Sequence, residues 1–504
     1  MRGSLPGRCR RRAGAPGDRG RSGDRGGRPG RQLPRPRRGL RQHLPLALSG
    51  PGHPPADGRL PLRDGRPVNG IGSVARELAA AAAGLVLAPA RHAAALVGAG
   101  RRRRAFLALG RDELPPPPDP AAPPGRRLRR LVLSCGDLSG ESHALRLLAA
   151  LRRRHPGLET AGFGGRRLAA AGMEVWEPLA DLNVMGFRDV AARLPLFLRA
   201  VGRFAADLAA EPPDAVVLID YPGLNRHLLR IAGRAGVPVV DYIAPQLWAW
   251  APWRIRDFRR ADRLLTILPF EGPWYRARGA RATYVGHPLG DGLAEAAAAE
   301  APPPELDPTR TWVGILPGSR RREVAENLPV LLTAAGRLAR RRPDLGFVLP
   351  HLRAELWPRI DALLAASPVE VVRAPGCFHA VLPALRAAWV ASGTALLEVA
   401  AHRVPPVLVY GLSSRLAAFL HRRALSVPWV GSLNLIAGRP LVPEHVGRSL
   451  DPATLAADLE ARLEGPVRER FLADLEPLLP RFAAGGAAAR AAREVEAAAG
   501  GGNG

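Results

Sequence analysis

Short apolar runs alternate with glycine turns and helical patterns from about residue 129 to about residue 450. The first set of runs is 131–133, 215–219, 237–242 and 264–268, and the second set is 312–316, 346–349, 369–372, 387–391 and 406–410. Strands that alternate with helices predict parallel sheets covered by helices on both faces. A Pro-rich joint at 302–304 separates the two sets. The sequence therefore predicts an α/β protein with two Rossmann-like, doubly wound domains and a cleft between them.

Composition divides the rest of the chain. Residues 1–70 are rich in Arg, Gly and Pro and have almost no apolar periodicity, which predicts a disordered basic extension, with an RNA-binding tail as the alternative. We expect the organised protein to start near Arg129. The further segments predicted are one or two Ala-rich helices with a Pro-rich linker (71–125), an N-terminal domain (126–300), a C-terminal domain (301–452), and helices with a tail (453–504).

The net charge of +28 is concentrated at the N-terminus, because residues 1–130 contain 28 arginines and only 8 acidic residues. No lysine occurs, and all 73 basic residues are arginine, which together with abundant Ala, Gly and Pro indicates a codon bias. Arginine content therefore carries little information about a polyanion partner, and no specific nucleic acid is expected.

The sequence shows no sign of a bound metal or of export. Its three cysteines, Cys9, Cys135 and Cys377, are widely spaced and form no metal-binding pattern, so we expect no metal and no cofactor. The run closest to a membrane span, 78–97, is Ala-rich and interrupted by Pro89, and it is interpreted as a soluble or surface helix. No secretory signal is evident, which favours a cytoplasmic location.

Two glycine turns that follow strand-like runs have the composition of phosphate sites. They consist of Gly318, Ser319 and Arg320, and of Ser392, Gly393 and Thr394. Backbone amides at a helix N-terminus favour an anion, and Arg320 can add a charge-assisted bond. Glu398, one turn into the second helix, is placed to accept from both hydroxyls of a ribose. Either turn alone is common in ordinary loops, but the pair predicts a nucleotide diphosphate that carries a sugar.

Asp220 ends the apolar run 215–219, and a carboxylate at this position faces the cleft and is placed to take a proton from an attacking hydroxyl. The alternative is that Asp220 caps the next helix. The other cleft candidates are Ser139, Gly140, Glu141, Asn225, Trp248, Trp250 and His287. Each of these residues also has a structural interpretation, as a tight connection, a core aromatic or a structural histidine.

Residues 184–208 interleave apolar side chains with arginines, which is typical of a helix at an anionic lipid interface. A core-facing helix with a solvated face fits the same pattern. The apolar candidates are Val184, Met185, Phe187, Leu194, Leu196 and Phe197.

Taken in order, these segments resemble the lipid-A-disaccharide synthases, glycosyltransferases of Gram-negative outer-membrane biosynthesis. The resemblance covers about residues 130–450 and leaves the first 125 residues without a counterpart. Its most specific pieces are Val184-Met185-Gly186, Ile219-Asp220 with Asn225, Trp248-Ala249-Trp250, Leu268 to Glu271, Val285 to Leu289, Leu316 to Arg320 with Glu323, Ser392 to Glu398, and Leu433-Asn434 with Pro443-Glu444.

The resemblance implies a GT-B architecture whose final helices cross back to the first domain. It implies transfer from UDP-2,3-diacylglucosamine to the 6-hydroxyl of 2,3-diacylglucosamine 1-phosphate, with inversion to a β-1,6 linkage. Asp220 would then be the base, Glu398 would bind ribose, Asn434 would belong to the UDP-sugar site, and the 184–208 stretch would draw acylated substrates from inner-membrane lipids. A homodimer is one possible assembly.

The chain departs from the family pattern at two turns. The acids around the first glycine turn are exchanged, with Asp137 before Ser-Gly and Glu141 after it, and Ala251 replaces a frequent Arg. The alternatives to the resemblance are another two-Rossmann UDP-sugar enzyme, such as a UDP-N-acetylglucosamine 2-epimerase, and a nucleic-acid-binding protein that acts through its basic tail.

Overall fold

The computed structural model describes residues 70–111, 113–116, 127–182, 194–296, 306–391, 393–412, 423 and 425–500. The predicted basic extension up to residue 69 lies outside these residues, and so do Val184, Met185, Phe187 and Ser392.

Two parallel sheets organise the described chain. The first sheet has the order β3-β2-β1-β4-β5-β6-β7, and the second has the order β10-β9-β8-β11-β12-β13. The strands of the first sheet are β1 (Arg130–Ser134), β2 (Glu159–Phe163), β3 (Glu174–Glu177), β4 (Ala215–Ile219), β5 (Val239–Tyr242), β6 (Arg263–Thr266) and β7 (Ala282–Tyr284). Those of the second are β8 (Thr311–Leu316), β9 (Leu345–His351), β10 (Val372–Pro375), β11 (Leu385–Ala391), β12 (Pro406–Gly411) and β13 (Glu444–Gly447).

Helices connect the strands and precede the first sheet. Before and within the first domain they are α1 (Gly70–Val86), α2 (Ala88–Val97), α3 (Ala99–Leu107), α4 (Leu138–Arg154), α5 (Arg166–Ala170), α6 (Leu179–Leu182), α7 (Leu194–Ala210), α8 (Pro222–Arg234), α9 (Leu247–Trp250), α10 (Ile255–Phe258), α11 (Glu271–Arg276) and α12 (Leu289–Ala296). The later ones are α13 (Arg321–Arg341), α14 (Trp357–Leu364), α15 (Phe378–Val381), α16 (Thr394–Ala401), α17 (Ser432–Ala437), α18 (Pro452–Glu460), α19 (Pro466–Leu475), α20 (Leu479–Phe482) and α21 (Ala487–Gly500).

Both faces of the first sheet are buried, as parallel pairing requires. Successive side chains of a strand point to opposite faces. Val216 accordingly belongs to an apolar cluster that includes Phe204 of α7, whereas Val217 belongs to a second cluster that includes Val495 of α21. The predicted α/β fold with two doubly wound domains is confirmed.

The last helix, α21, returns to the first domain, as the family resemblance implied. Glu496 accepts a hydrogen bond from Arg154 Nε at 2.6 Å, and its carboxylate lies 2.8 Å from His155 Nε2. Arg490 Nε donates to the Val285 carbonyl at 2.6 Å. These buried polar contacts hold the end of the chain against the first sheet.

Helices α1 to α3 also pack on the body, although the sequence predicted that the organised protein starts near Arg129. Glu77 of α1 is buried against α8, where its carboxylate accepts from Arg230 Nη2 at 2.6 Å and from Arg234 Nη2 at 3.0 Å. Burial acts to raise the pKa of Glu77, but hydrogen bonds from His227 and Arg230 outweigh it and lower the pKa to about 2. The carboxylate therefore stays ionised and attaches α1 to α8.

Helix α3 reaches both domains. Phe106 is 2% exposed, and its ring centroid lies 5.0 Å from that of Phe270 and 6.0 Å from that of Trp248. Arg102 Nε donates to Ser426 Oγ at 2.8 Å, so the same helix contacts the second domain. Ala-rich composition hid this packing, because alanines give little apolar periodicity to read.

No single described helix is long and apolar enough to cross a membrane. Helices α1 and α2 meet that test of length and composition only as a pair, and they are bent by 48° relative to each other.

Phe106→Ala should lower the free energy of unfolding by about 3 kcal/mol, because it leaves a cavity beside Trp248 and Phe270. Leu107→Ala is the matched control, since this neighbouring side chain is 43% exposed, and it should change stability by less than about 0.5 kcal/mol. Urea unfolding followed by tryptophan fluorescence measures both variants. Equal effects of the two substitutions would show that α3 is not packed as described.

Candidate functional site

The chain turns sharply at the carboxyl end of β4. Asp220 and Tyr221 follow this strand with φ of +48° and +51°, a left-handed conformation that costs free energy for residues other than glycine. The Asp220 amide donates to the Tyr242 carbonyl at 3.0 Å, which ties the turn to β5. Strained backbone of this kind persists only where the surroundings hold it, and it often marks a functional site.

Asn225 and Gly136 both contact this turn. Asn225 is fully buried; its Nδ2 donates to the carbonyls of Ile219 and Asp220, and its Oδ1 accepts from Ser134 Oγ at 2.7 Å. A Cβ placed on Gly136 would lie 2.3 Å from the Tyr221 ring, so only glycine fits there. Asn225 therefore positions Asp220 through a hydrogen bond to its carbonyl. The Asn225 side chain is buried and is not exposed to the cleft.

The surroundings of Asp220 suit a base. Burial and the charge of nearby Asp137 raise its pKa, the Tyr221 amide acts in the opposite direction, and the resulting pKa is about 6. A carboxyl with this pKa is ionised at neutral pH yet more basic than an ordinary aspartate. The alternative of a helix cap is not seen, because Tyr221 occupies the N-cap position of α8 and no side chain caps that helix.

Asp241 on β5 is a buried acid that sequence reasoning passed over. Its side chain is 1% exposed, and neither carboxyl oxygen has a hydrogen-bond partner among the described residues. Burial raises the pKa of Asp241 well above its usual range, and the charge of Asp220 adds to this. The available signal was an acid inside an apolar strand, in the run Val239-Val240-Asp241-Tyr242.

The first glycine turn leads into α4. Asp137 Oδ1 accepts from the Gly140 amide at 2.6 Å and caps this helix. Glu141 is fully buried, and its Oε1 accepts from the Arg167 and Leu168 amides at 3.0 and 3.1 Å. The carboxylate of Glu141 thus caps α5, whereas Ser139 is exposed at the start of α4.

The tryptophan loop divides between core and surface. Trp248 is 4% exposed, packs on Phe270, and donates from Nε1 to Glu271 Oε1 at 3.0 Å. Its assignment to a cleft wall is wrong, because the indole N–H has a buried partner within the domain. Trp250 is 46% exposed and remains available to a ligand.

His287 is buried at the joint between the domains. It is 5% exposed, and its Nδ1 accepts from the Leu289 amide at 3.1 Å. Burial lowers its pKa to about 3, with a further contribution from His143 of α4. A neutral, hydrogen-bonded His287 has the structural role that the sequence left open.

The turn after β8 is already capped by a carboxylate. Gly318 has φ +115°, and Glu323 Oε2 accepts from the Ser319 and Arg320 amides at 2.9 and 3.1 Å. The expectation that these amides point freely outward is wrong, because Glu323 folds back onto them in a capping arrangement. Ser319 and Arg320 are both exposed, and the Arg320 guanidinium, on a side chain that is 59% exposed, donates from Nη1 to Glu323 Oε1 at 3.0 Å.

The turn after β11 is open. Gly393 has φ +136°, and it is exposed together with Thr394, the first residue of α16. The first amides of a helix have no partner within the helix, so this end suits an anion. Ser392, the third residue predicted here, lies outside the described residues.

Glu398 is half-buried on α16, facing the first domain. Burial raises its pKa to about 7, while the charge of Arg146 acts in the opposite direction. Arg146 belongs to α4 of the first domain, where its Nη2 pairs with Glu295 Oε2 at 2.9 Å, so its charge acts on Glu398 from the other domain. Arg146 was not singled out from the sequence, because its charge differs in no way from that of many surface arginines.

Asn434 cannot bind a ligand through its amide. Its Nδ2 donates to the Val442 carbonyl and to Glu444 Oε1, at 2.9 and 2.8 Å, and its Oδ1 accepts from the Leu441 and Val442 amides, at 2.7 and 2.9 Å. These four bonds use every donor and lone pair of the side chain. The assignment of Asn434 to the UDP-sugar site is wrong, since the residue connects α17 to the segment before β13.

The predicted acyl segment is described only from Leu194 onward. Leu194 is 46% exposed, and Leu196 and Phe197 are half-buried. Phe204, further along α7, is fully buried. The helix therefore has one face in the core and an apolar start near the surface.

These features define a class of protein. Asp220 follows a strand of the first parallel sheet, and the two glycine turns follow strands of the second, an arrangement typical of two-domain nucleotide-sugar transferases of the GT-B architecture. The structure of S. aureus MnaA with UDP has this fold, with a TM-score of 0.50 at 12% identity over 72% of this chain and 94% of that chain.

Sequence comparison identifies the family. The family model described as lipid-A-disaccharide synthetase matches residues 131–473. The lipid-A-disaccharide synthase of Syntrophus aciditrophicus is 36% identical over 369 residues, which cover 72% of this chain and 96% of that protein. The enzyme of the same name from Anaeromyxobacter dehalogenans strain 2CP-C is 37% identical over 385 residues, with 73% and 96% covered. The chain belongs to the lipid-A-disaccharide synthase family and is a glycosyltransferase of lipid A biosynthesis.

Asn434→Ala should lower the free energy of unfolding by about 3 kcal/mol, because it leaves buried amide and carbonyl groups unpaired. At a temperature where the variant is folded, its affinity for UDP should stay within about twofold of the wild type. Thermal melting and titration calorimetry measure the two quantities. A large loss of UDP affinity in a variant of normal stability would restore the ligand role.

Proposed function

We propose that the enzyme transfers the sugar of UDP-2,3-diacylglucosamine to the 6-hydroxyl of 2,3-diacylglucosamine 1-phosphate, with inversion. The products are a β-1,6-linked lipid A disaccharide 1-phosphate and UDP. The observation that carries this proposal is the strained turn at Asp220, where a carboxyl of raised pKa follows a buried strand at the sheet edge. Family membership supplies the class of donor and acceptor.

Asp220 acts as the general base. As the acceptor oxygen attacks the anomeric carbon, the hydroxyl proton passes to the Asp220 carboxylate, and the bond from that carbon to the diphosphate oxygen breaks. The electron pair of that bond leaves with UDP. A base whose pKa is about 6 is ionised at neutral pH and is a better proton acceptor than an ordinary aspartate.

The second domain holds the leaving group. We assign the diphosphate to Gly393 and Thr394 at the N-terminus of α16 and to the Arg320 guanidinium, both of which stabilise negative charge as it develops. The Ser319 and Arg320 amides of the Gly318 turn already donate to Glu323. They can bind the diphosphate only if they donate to a phosphate oxygen and to Glu323 at the same time. Glu398 is assigned to the ribose hydroxyls, and no metal is required by this arrangement.

The acylated substrates lie in the inner membrane, so the enzyme works as a peripheral protein at its cytoplasmic surface. The apolar start of α7, with exposed Leu194, supports contact with acyl chains. Trp250 and Ser139 remain candidates for contact with the acceptor sugar because both side chains are exposed.

Asp220→Asn should lower turnover by at least about a hundredfold, because the amide cannot accept the acceptor's proton. Mass spectrometry of a reaction with both acylated substrates measures the tetraacyl disaccharide 1-phosphate. Asp241→Asn is the matched control: burial raises the pKa of this neighbouring acid and so favours its neutral form, which the amide matches in charge, and activity should stay within about fivefold of the wild type. Product from Asp220→Asn at the wild-type rate would remove Asp220 as the base.

The dependence of kcat/KM on pH should show two groups on its acid side. The pKa of Glu398 is about 7 and that of Asp220 about 6, and both are needed ionised, so activity falls as pH drops through these values. Glu398→Gln should raise the KM for the UDP-sugar and leave one acid group near pH 6. An acid limb near pH 7 that persists in this variant would contradict the assignment of Glu398.

A further inference from the structure

The bend between α1 and α2 exposes large apolar side chains. Leu85, Val86 and Leu87 are 61%, 78% and 47% exposed, although they are consecutive in sequence. Ile71 and Val97, at the far ends of the two helices, are 88% and 91% exposed. A group of exposed apolar side chains such as residues 85–87 marks an interaction site more often than chance. We call it the α1–α2 apolar surface, formed by residues 71–97.

The charges around this surface have one sign. Residues 70–107 contain six arginines and a single acid, Glu77. Glu77 is buried, is neutralised by Arg230 and Arg234, and is hydrogen-bonded to His227. Arg76, Arg91, Arg101 and Arg104 are all exposed. The surface is therefore complementary to an anionic partner rather than to a neutral one.

The segment is attached so that this face cannot turn inward. Glu77 fixes one face of α1 to α8, and Phe106 fixes the end of α3 between Trp248 and Phe270. With these anchors in place, residues 85–87 at the bend between the two helices are exposed to solvent.

The α1–α2 apolar surface continues onto α7. An open pocket of about 410 Å³ lies between α1 and α7. It is lined by Ile71, Val74, Ala75 and Leu78 of α1 and by Gly202 of α7. Helix α7 also carries the exposed Leu194 at its start. The surface is thus adjacent to the helix whose apolar start supports contact with acyl chains.

We propose that helices α1 to α3 form a docking surface for a bilayer of anionic phospholipid, with residues 85–87 inserted at the level of the headgroups and the exposed arginines on lipid phosphates. Apolar side chains flanked by arginines are the composition of helices that lie in a membrane interface. The surface belongs to the segment before residue 131, outside the part of the chain that the family model matches. It therefore extends the proposed function without depending on the reaction.

The full chain is tested by co-sedimentation with phosphatidylcholine vesicles, with and without phosphatidylglycerol. Binding should require phosphatidylglycerol and should weaken with added salt. Leu85→Asp combined with Leu87→Asp should lower the partition coefficient by at least about tenfold, because two apolar side chains no longer enter the interface. Arg101→Gln combined with Arg104→Gln should lower it by roughly tenfold as well, since each arginine near an anionic surface contributes several-fold.

Val467→Asp is the matched control, because this exposed valine on α19 is remote in sequence and receives the same change. Its binding should equal that of the wild type, and all variants should keep the wild-type melting temperature. Activity on detergent-dispersed substrates should stay within about twofold in every variant, so a failure of the proposed reaction is seen separately from a failure to bind lipid.

Several results would overturn the proposal. They are a wild-type chain that stays in the supernatant, equal binding to vesicles without phosphatidylglycerol, and apolar variants that bind as tightly as Val467→Asp. A change from dimer to monomer on Leu85→Asp, measured by analytical ultracentrifugation without vesicles, would instead assign the surface to a second copy of the chain.

Discussion

Parallel pairing forces each connection to cross back over a face of the sheet, so the carboxyl ends of the strands meet at one edge. Both described sheets are built this way, from β1 to β7 and from β8 to β13. Asp220 after β4, Gly318 after β8 and Gly393 after β11 therefore lie at sheet edges rather than scattered over the surface. The C-terminal helix then returns to the first domain, and the charge of Arg146 in that domain acts on Glu398 in the second.

Buried polar side chains give these edges their shape. Asn225 holds two carbonyls of the strained turn at Asp220, and Asn434 connects α17 to the segment before β13. Each amide replaces hydrogen bonds that the irregular backbone cannot make with itself. The groups that we propose for the reaction and for the nucleotide are different ones: the half-buried carboxyls of Asp220 and Glu398, the Arg320 guanidinium and the start of α16. Structure and chemistry are divided between different side chains at the same edge.

Local pattern was sufficient for the two parallel sheets and for the position of Asp220, because an acid that follows a buried strand reaches the edge whatever surrounds it. It failed for Asn434 and Trp248. Both stand in motifs that resemble the family's site, yet one has all its hydrogen bonds satisfied inside the fold and the other donates to buried Glu271. It also failed for Glu323, since whether a carboxylate caps its own helix or leaves the amides open depends on a rotamer that sequence does not encode.

The sequence by itself determined the alternation of strands and helices, the two glycine turns and the family resemblance, because these depend on residues that are close along the chain. Only the tertiary structure decided which polar groups are already paired, that Arg146 lies near Glu398, and that α1 to α3 dock on the body through Glu77 and Phe106. The physical reason is that burial and hydrogen-bond satisfaction are set by partners far apart in sequence, such as Phe106 and Trp248, and no local pattern carries that information.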